Sequence, residues 1–163
     1  MGQYYIVVNK TKKQFLNPHT FGEGAKLCEF SFGSGTILTG LSFLLANGNG
    51  RGGGDLHSNN DLIGSWSGDK ISVEGDYADE DYEHEGKPCN LYMLAYETYE
   101  DISKATYRVL FEDEWYRQRR REEILKINRD MWLPGEHEVL HDEFPDLVSK
   151  PIKLDSKGHV TDA

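Results

Sequence analysis

Between Asn47 and Asp55 the chain reads N-G-N-G-R-G-G-G-D, five glycines in nine positions. Such a run is a poor helix or strand interior, because glycine loses more backbone entropy on folding than any other residue. It breaks the chain into what comes before and what comes after. Glycine is also the residue that takes positive φ and lets another group approach the backbone. Bare N–H groups in alternating conformations form a concave anion site, a nest. Arg51 lies inside the run and offers a planar fork that fits phosphate or carboxylate. Asp55, His57 and Ser58 follow with acceptor, titratable and hydroxyl groups. Gly48, Gly50, Arg51, Gly52, Gly53, Gly54, Asp55 and His57 are therefore the candidate ligand site, with Trp66 downstream as a ring to stack on a base or sugar. The plain alternatives are a ligand-free surface loop and a tryptophan in the core.

What flanks the run decides between phosphate-binding motifs. Ile37, Leu38, Leu41, Leu44 and Leu45 recur at helical spacing, which predicts a buried helix capped by Thr36 and stopped at Asn47-Gly48. Gly48, Gly50 and Gly53 match G-x-G-x-x-G, but that fingerprint works only after a strand and before a helix. Here a helix comes first, and Asp55 to Asp61 is too polar and Asn-rich to start another. The P-loop fails for want of Gly-Lys-Ser/Thr. A calcium β-roll needs stacked copies of a repeat that occurs once here.

The rest of the first 128 residues reads as a mixed domain. Tyr4 to Val8 is aromatic and β-branched, and Gln14-Phe15-Leu16 returns after a polar turn as the second arm of a hairpin. Ala25 to Phe30 reads as a short helix with Leu27 and Phe30 inward. Leu62 to Trp66 and Lys70 to Glu74, joined by Ser67-Gly68-Asp69, read as a second hairpin. Gly75 to Glu85 is an acidic solvated loop that matches no calcium-loop spacing. Asn90 to Glu97 is a short helix. Ile102, Ala105, Thr106, Val109 and Leu110 mark a longer one, running past Trp115 toward Ile127. The basic cluster Arg117 to Arg121, flanked by glutamates, is the exposed face of that helix.

Residues 129–163 change texture, with Pro134, Gly135, Pro145 and Pro151 and many charges, and read as an irregular extension. His137-Glu138-Val139-Leu140-His141 lies within it and matches H-E-x-x-H. On a helix this places His137 and His141 one turn apart to ligate zinc, with Glu138 to activate a bound water. Prolines on both sides leave room for barely two turns. Asp142 and Glu143 follow where apolar residues would bury such a helix. A third ligand would come from Asp146, Asp155 or His159.

The 163 residues suit one domain and an extension. A formal charge of −10 argues against a nucleic-acid backbone or an anionic membrane surface as partner. The two cysteines, Cys28 and Cys89, form no C-x-x-C and imply no disulfide framework, which fits a reducing cytoplasm. No signal segment or membrane-length apolar run is apparent.

The N-terminal half resembles a family of small uncharacterised bacterial or phage proteins. The residues that carry the resemblance are M-G-Q-Y-Y-x-V-V-N at the start, N-P-H-T-F-G-E-G-A-K-L over Asn17–Leu27, and G-R-G-G-G-D-L. It continues in I-G-S-W-S-G-D-K-I and G-D-Y-A-D between Ile63 and Asp79. It covers roughly residues 1 to 80, implies a bacterial or phage setting, and brings no activity, cofactor or site residue with it.

The expectation is an α+β fold in which two hairpins form a small, mainly antiparallel sheet covered by helices. Residues 1–128 form the domain and 129–163 the extension. The functional expectation is a cytoplasmic binding module for a small anionic ligand, such as a nucleotide, with no cofactor. The alternatives are a zinc hydrolase built on His137, Glu138 and His141, and an acidic protein that inhibits or binds another protein. No Ser/His/Asp or Cys/His nucleophile pairing is recognisable.

Overall fold

The computed structural model describes residues 2–31, 36–51, 55–114 and 116, together with the backbone of three short strands between 135 and 161. The chain forms two compact units, Met1–Val109 and Leu110–Ala163. The boundary expected at 128/129 lies outside the described residues.

In the first unit, β1 (Tyr5–Asn9) and β2 (Gln14–Leu16) form the expected hairpin, with Val7 opposite Leu16 and Val8 opposite Phe15. β3 (Ile71–Gly75) pairs antiparallel with the other edge of β1, Val7 opposite Val73. A separate hairpin, β4 (Tyr82–His84) and β5 (Lys87–Cys89), follows. The two-residue β6 (Glu100–Asp101) runs parallel beside β2, which gives the sheet order β3-β1-β2-β6. Among the described residues, α1 (Ile37–Leu45), α2 (Leu91–Thr98) and α3 (Ser103–Glu112) complete an α+β fold.

Alternation along β1 and β2 sends side chains to both faces of the sheet. Ile6, Val8 and Phe15 point to the face where Leu91 and Ala95 of α2 pack, with Tyr82, Tyr92, Leu94 and Tyr99 around them. Val7 and Leu16, on the other face, are fully buried as well. Burial on both faces explains the unbroken apolar run in β1, which alternation alone would not predict. α2 starts cleanly because the Asn90 side chain accepts the Met93 amide at 3.1 Å. The same side chain donates to the Ala78 carbonyl at 2.8 Å, anchoring the acidic turn to the helix.

α1 and α3 meet at Gly40. A methyl group there would lie 3.1 Å from both the Phe21 ring and the Thr106 methyl, so any larger residue would have to push these side chains back by a few tenths of an ångström. This rotates the buried face of α1. Ile37, Gly40, Phe43 and Leu44 are inward, whereas Leu38 and Leu45, expected inward, are exposed. Phe21 and Tyr107 meet beside the crossing as a tilted ring pair, with ring centres 5.3 Å apart and planes at 57°.

The second hairpin expected from the sequence is displaced. Leu62 to Trp66 is not a strand but part of a chain of tight turns between Asn60 and Asp69. Gly64 has φ of 77°, outside the strand region, and its amide bonds to the Phe43 carbonyl at 2.8 Å. The Trp66 amide bonds to the Leu44 carbonyl at 2.8 Å. The segment therefore satisfies the open carbonyls at the end of α1. β3 takes β1 as its partner, and the other hairpin, β4–β5, forms within and just after the segment read as a solvated acidic loop. Its turn residues, Glu85 and Gly86, both have positive φ (51° and 76°), the twist a two-residue hairpin turn requires. Ala25 to Phe30 holds only a short 3-10 turn, Leu27–Glu29; Phe30, which follows it, is buried, but Leu27 is exposed.

The β1–β2 turn is tied to the start of β3 through Asp69. Its carboxylate accepts from the buried Asn9 amide at 2.8 Å and from the Lys12 ammonium. The Lys12 and Asn9 hydrogen bonds hold the Asp69 carboxyl below the ordinary aspartate value.

α3 follows most of the predicted pattern, with Ile102, Thr106, Val109 and Leu110 buried, whereas Ala105, expected inward with them, is exposed. Its expected continuation to Ile127, and the Arg117–Arg121 cluster, lie outside the described residues. In the second unit, where an irregular extension is expected, β7 (Gly135–His137), β8 (Ile152–Leu154) and β9 (Val160–Thr161) form an antiparallel sheet in the order β7-β8-β9. Among the described residues no helix is long and apolar enough to cross a membrane.

Candidate functional site

The glycine run leaves the C-terminal end of α1, after Ala46 turns extended. Gly48 and Gly50 both have positive φ, 126° and 94°. Among the described residues nothing lies within 4 Å of where a side chain on either would begin. Gly52, Gly53 and Gly54 lie outside the described residues.

The loop is pinned at its base by one side chain. Asn49 accepts the Leu56 amide at 2.9 Å and donates back to the Leu56 carbonyl at 2.8 Å. It also donates to the Ser58 carbonyl at 3.3 Å. The Asn49 amide group thus pairs with the Leu56 main chain in both directions, and brings the two arms of the loop together across the glycines.

Inside that closure the Asp55 carboxylate accepts the Arg51 main-chain N–H at 2.7 Å. An amide in the glycine run thus already holds a carboxylate oxygen, one supplied by the chain itself. The Arg51 side chain is exposed, and its guanidinium forms no ion pair among the described residues. Asp55 is half-buried and His57 is exposed on the same arm.

Helix geometry adds nothing to anion binding here. The C-terminal end of α1 points its partial negative charge toward the loop. The run is followed by turns, not by a helix start. The dinucleotide arrangement, with phosphate on a helix N-terminus, is therefore not built around the described part of the loop.

Trp66 does not belong to this site. It is fully buried, and its indole N–H donates to the Gln14 side-chain carbonyl at 2.9 Å. No ring face is left for a base or sugar, and the side chain is part of the core beside β2.

His137 is the last residue of β7, paired opposite Ile152. The H-E-x-x-H reading needs both histidines on one helical turn, and a strand ending on the first of them removes that premise locally. Glu138 and His141 lie outside the described residues. Among the described residues no cluster of three or more His, Cys, Asp or Glu side chains is placed to hold a metal.

The sequence reading missed Asn49 as the pin of the loop and Asp55 as its internal ligand. The signal for both was present, since Asn and Asp side chains readily take up nearby backbone groups in glycine-rich turns. No protein-family model, curated protein or solved structure matches the chain.

Proposed function

We propose that the Gly48–Asp55 loop is an anion-binding element and that the protein binds a small ligand carrying phosphate or carboxylate, a nucleotide included, in a cytoplasmic setting. One observation carries the reading: the Arg51 main-chain N–H holds the Asp55 carboxylate at 2.7 Å, and the Arg51 side chain is itself exposed. A loop whose amide fits one carboxylate oxygen fits the oxygen of an incoming anion in the same place. Gly48 and Gly50 give the backbone its positive φ, Asn49 holds the arms, and Arg51 supplies charge and a fork. Asp55 is the group the ligand displaces.

The test is isothermal titration with inorganic phosphate and a panel of nucleoside mono-, di- and triphosphates. The expected result is binding by the wild type that weakens roughly tenfold or more in Arg51→Ala, in line with ~1.5–3 kcal/mol for a charged hydrogen bond. Absence of binding by the wild type, or equal binding by both proteins, overturns the proposal.

A second reading, an interaction protein working through its acidic surface, is favoured by Tyr77. That ring is 65% exposed between Asp76 and the Asp79–Glu80–Asp81 run. Aromatic side chains so placed are common anchors at protein interfaces.

A further inference from the structure

Among the described residues the sheet ends at β3, whose outer edge pairs with no other strand. Hydrogen bonds between Lys10 and Lys70 and between Tyr4 and Asp76 bracket the β1–β3 ladder. Antiparallel pairing alternates, so the even-numbered residues Ser72 and Glu74 direct their main-chain groups toward β1. The odd-numbered residues Ile71 and Val73 direct theirs outward. Gly75 also faces out, but its carbonyl is taken by the Ala78 amide at 3.1 Å. Ile71 and Val73 are left with open donors and acceptors, and no described strand lies beyond them. Edges of this kind are usually blunted by a proline, a bulge or an outward lysine. Here the central outward residue is Val73, 44% exposed.

We infer that this edge pairs with the same edge of a second copy of the chain, antiparallel, about a two-fold axis at Ser72. In that register Ile71 of each copy faces Val73 of the other, as hydrogen-bonded pairs. These two pairs use all the open main-chain groups of Ile71 and Val73 on both strands. The exposed Val73 is covered by a β-branched neighbour. Lys70 of each copy lies across from Glu74 of the other, opposite charges on one face. Lys70 is exposed and forms no ion pair within the chain among the described residues. Ser72 meets Ser72 on the axis. Its hydroxyl, without a hydrogen-bond partner in the single chain, gains one there by turning about χ1.

Neighbouring two-fold registers are worse. Moving the axis to Ile71 puts Val73 against Asp69 and Lys70 against Ser72. Moving it to Val73 sets Ser72 against Glu74 and Ile71 against Gly75. Only the axis at Ser72 matches apolar, charged and hydroxyl pairs together. A contact this narrow falls at the small end of protein interfaces, so the dimer is weak and concentration-dependent.

The experiment is sedimentation equilibrium of the full chain over micromolar to millimolar concentration, with far-UV circular dichroism to verify the fold of each variant. The wild type is expected to dimerise reversibly. Val73→Pro removes an outward N–H without touching the β1 ladder and is expected to be monomeric. Lys70→Glu sets like charges across the axis and is expected to weaken dimerisation at least fivefold. The double variant Lys70→Glu/Glu74→Lys restores opposite charges only in the register at Ser72, and is expected to recover it. A wild type that stays monomeric up to millimolar concentration overturns the inference. So does a folded Val73→Pro variant that dimerises like the wild type, or a double variant no better than Lys70→Glu.

Discussion

The indole N–H of Trp66 donates to the side-chain carbonyl of Gln14 at 2.9 Å, across a separation of 52 residues, and the ring is fully buried. The bond joins the turns that cap α1 to the second strand of the sheet. Trp66→Phe removes the donor and part of the ring, leaving the Gln14 oxygen unsatisfied. The expected loss is about 2–4 kcal/mol of unfolding free energy, the sum of an orphaned polar group and a partly emptied site. Urea unfolding measures it. Phosphate affinity, measured in parallel on the folded variant, is expected to stay the same. A drop in affinity would return Trp66 to the ligand site.

Gly64 makes the capping turn possible. Its φ is 77°, and a methyl group there would sit 2.7 Å from the Ala46 carbonyl oxygen. Gly64→Ala therefore meets both the left-handed penalty of about 1–2 kcal/mol and a clash with backbone that cannot step aside. Gly50 has φ of 94° but open space around it. Gly50→Ala is expected to lose only the conformational part. Thermal unfolding of the two variants side by side checks this, with the larger fall in Tm at Gly64.

The difference between Gly64 and Gly50 also explains which parts of this fold were legible in the sequence. The β1–β2 hairpin, α2 and the run Ile102 to Leu110 follow local patterns of apolar residues and turns, and they stand where those patterns place them. Leu62 to Trp66 has strand composition, but one left-handed glycine and the open carbonyls of α1 turn it into a cap. The inward face of α1 was misjudged because a glycine, Gly40, is its contact point, and a search for apolar side chains passes over it. At the candidate site the glycines and Arg51 stood out by composition. The roles of Asn49 and Asp55 depend on which backbone groups the folded loop brings within reach, and composition does not encode that.

Glu85 is a strained residue with a simple remedy. It sits at φ of 51° in the β4–β5 turn, directly before Gly86 at 76°. Asn tolerates the left-handed region better than Glu and is the preferred first residue of this turn. Its pair with His84, at 3.9 Å and largely exposed, adds little. Glu85→Asn is expected to stabilise the protein by about 0.5–1 kcal/mol, part of the left-handed penalty. A rise in the urea midpoint with unchanged slope is the result to look for.

Asp69 is expected to set part of the acid limb of stability. Its hydrogen bonds with Lys12 and Asn9 lower its carboxyl from the ordinary value of 3.8. A depressed carboxyl contributes stability that is present above the unfolded value, and it is lost as pH falls through the folded one. Asp69→Asn is therefore expected to lower stability at neutral pH and to flatten its decline below about pH 4. Unfolding measured from pH 7 to pH 2 in both proteins tests this. Parallel curves would show that Asp69 has no part in the acid limb.

Asp55 tests the loop from the opposite side to Arg51. If its carboxylate holds the place of an external anion, it competes with that anion and repels it. Asp55→Asn keeps an oxygen for the Arg51 amide but removes the charge. A unit charge about 4 Å away in water is worth ~1 kcal/mol, so phosphate affinity is expected to rise about fivefold. Added salt is expected to shrink the gain, because the site is exposed and screening is strong there. Titration of both proteins with inorganic phosphate at low and high ionic strength gives the answer. An affinity that falls on losing the charge would mean that Asp55 shapes the loop for its ligand and does not stand in for it. The amide bond at 2.7 Å would then be scaffolding, and the anion would have to be sought on the guanidinium alone.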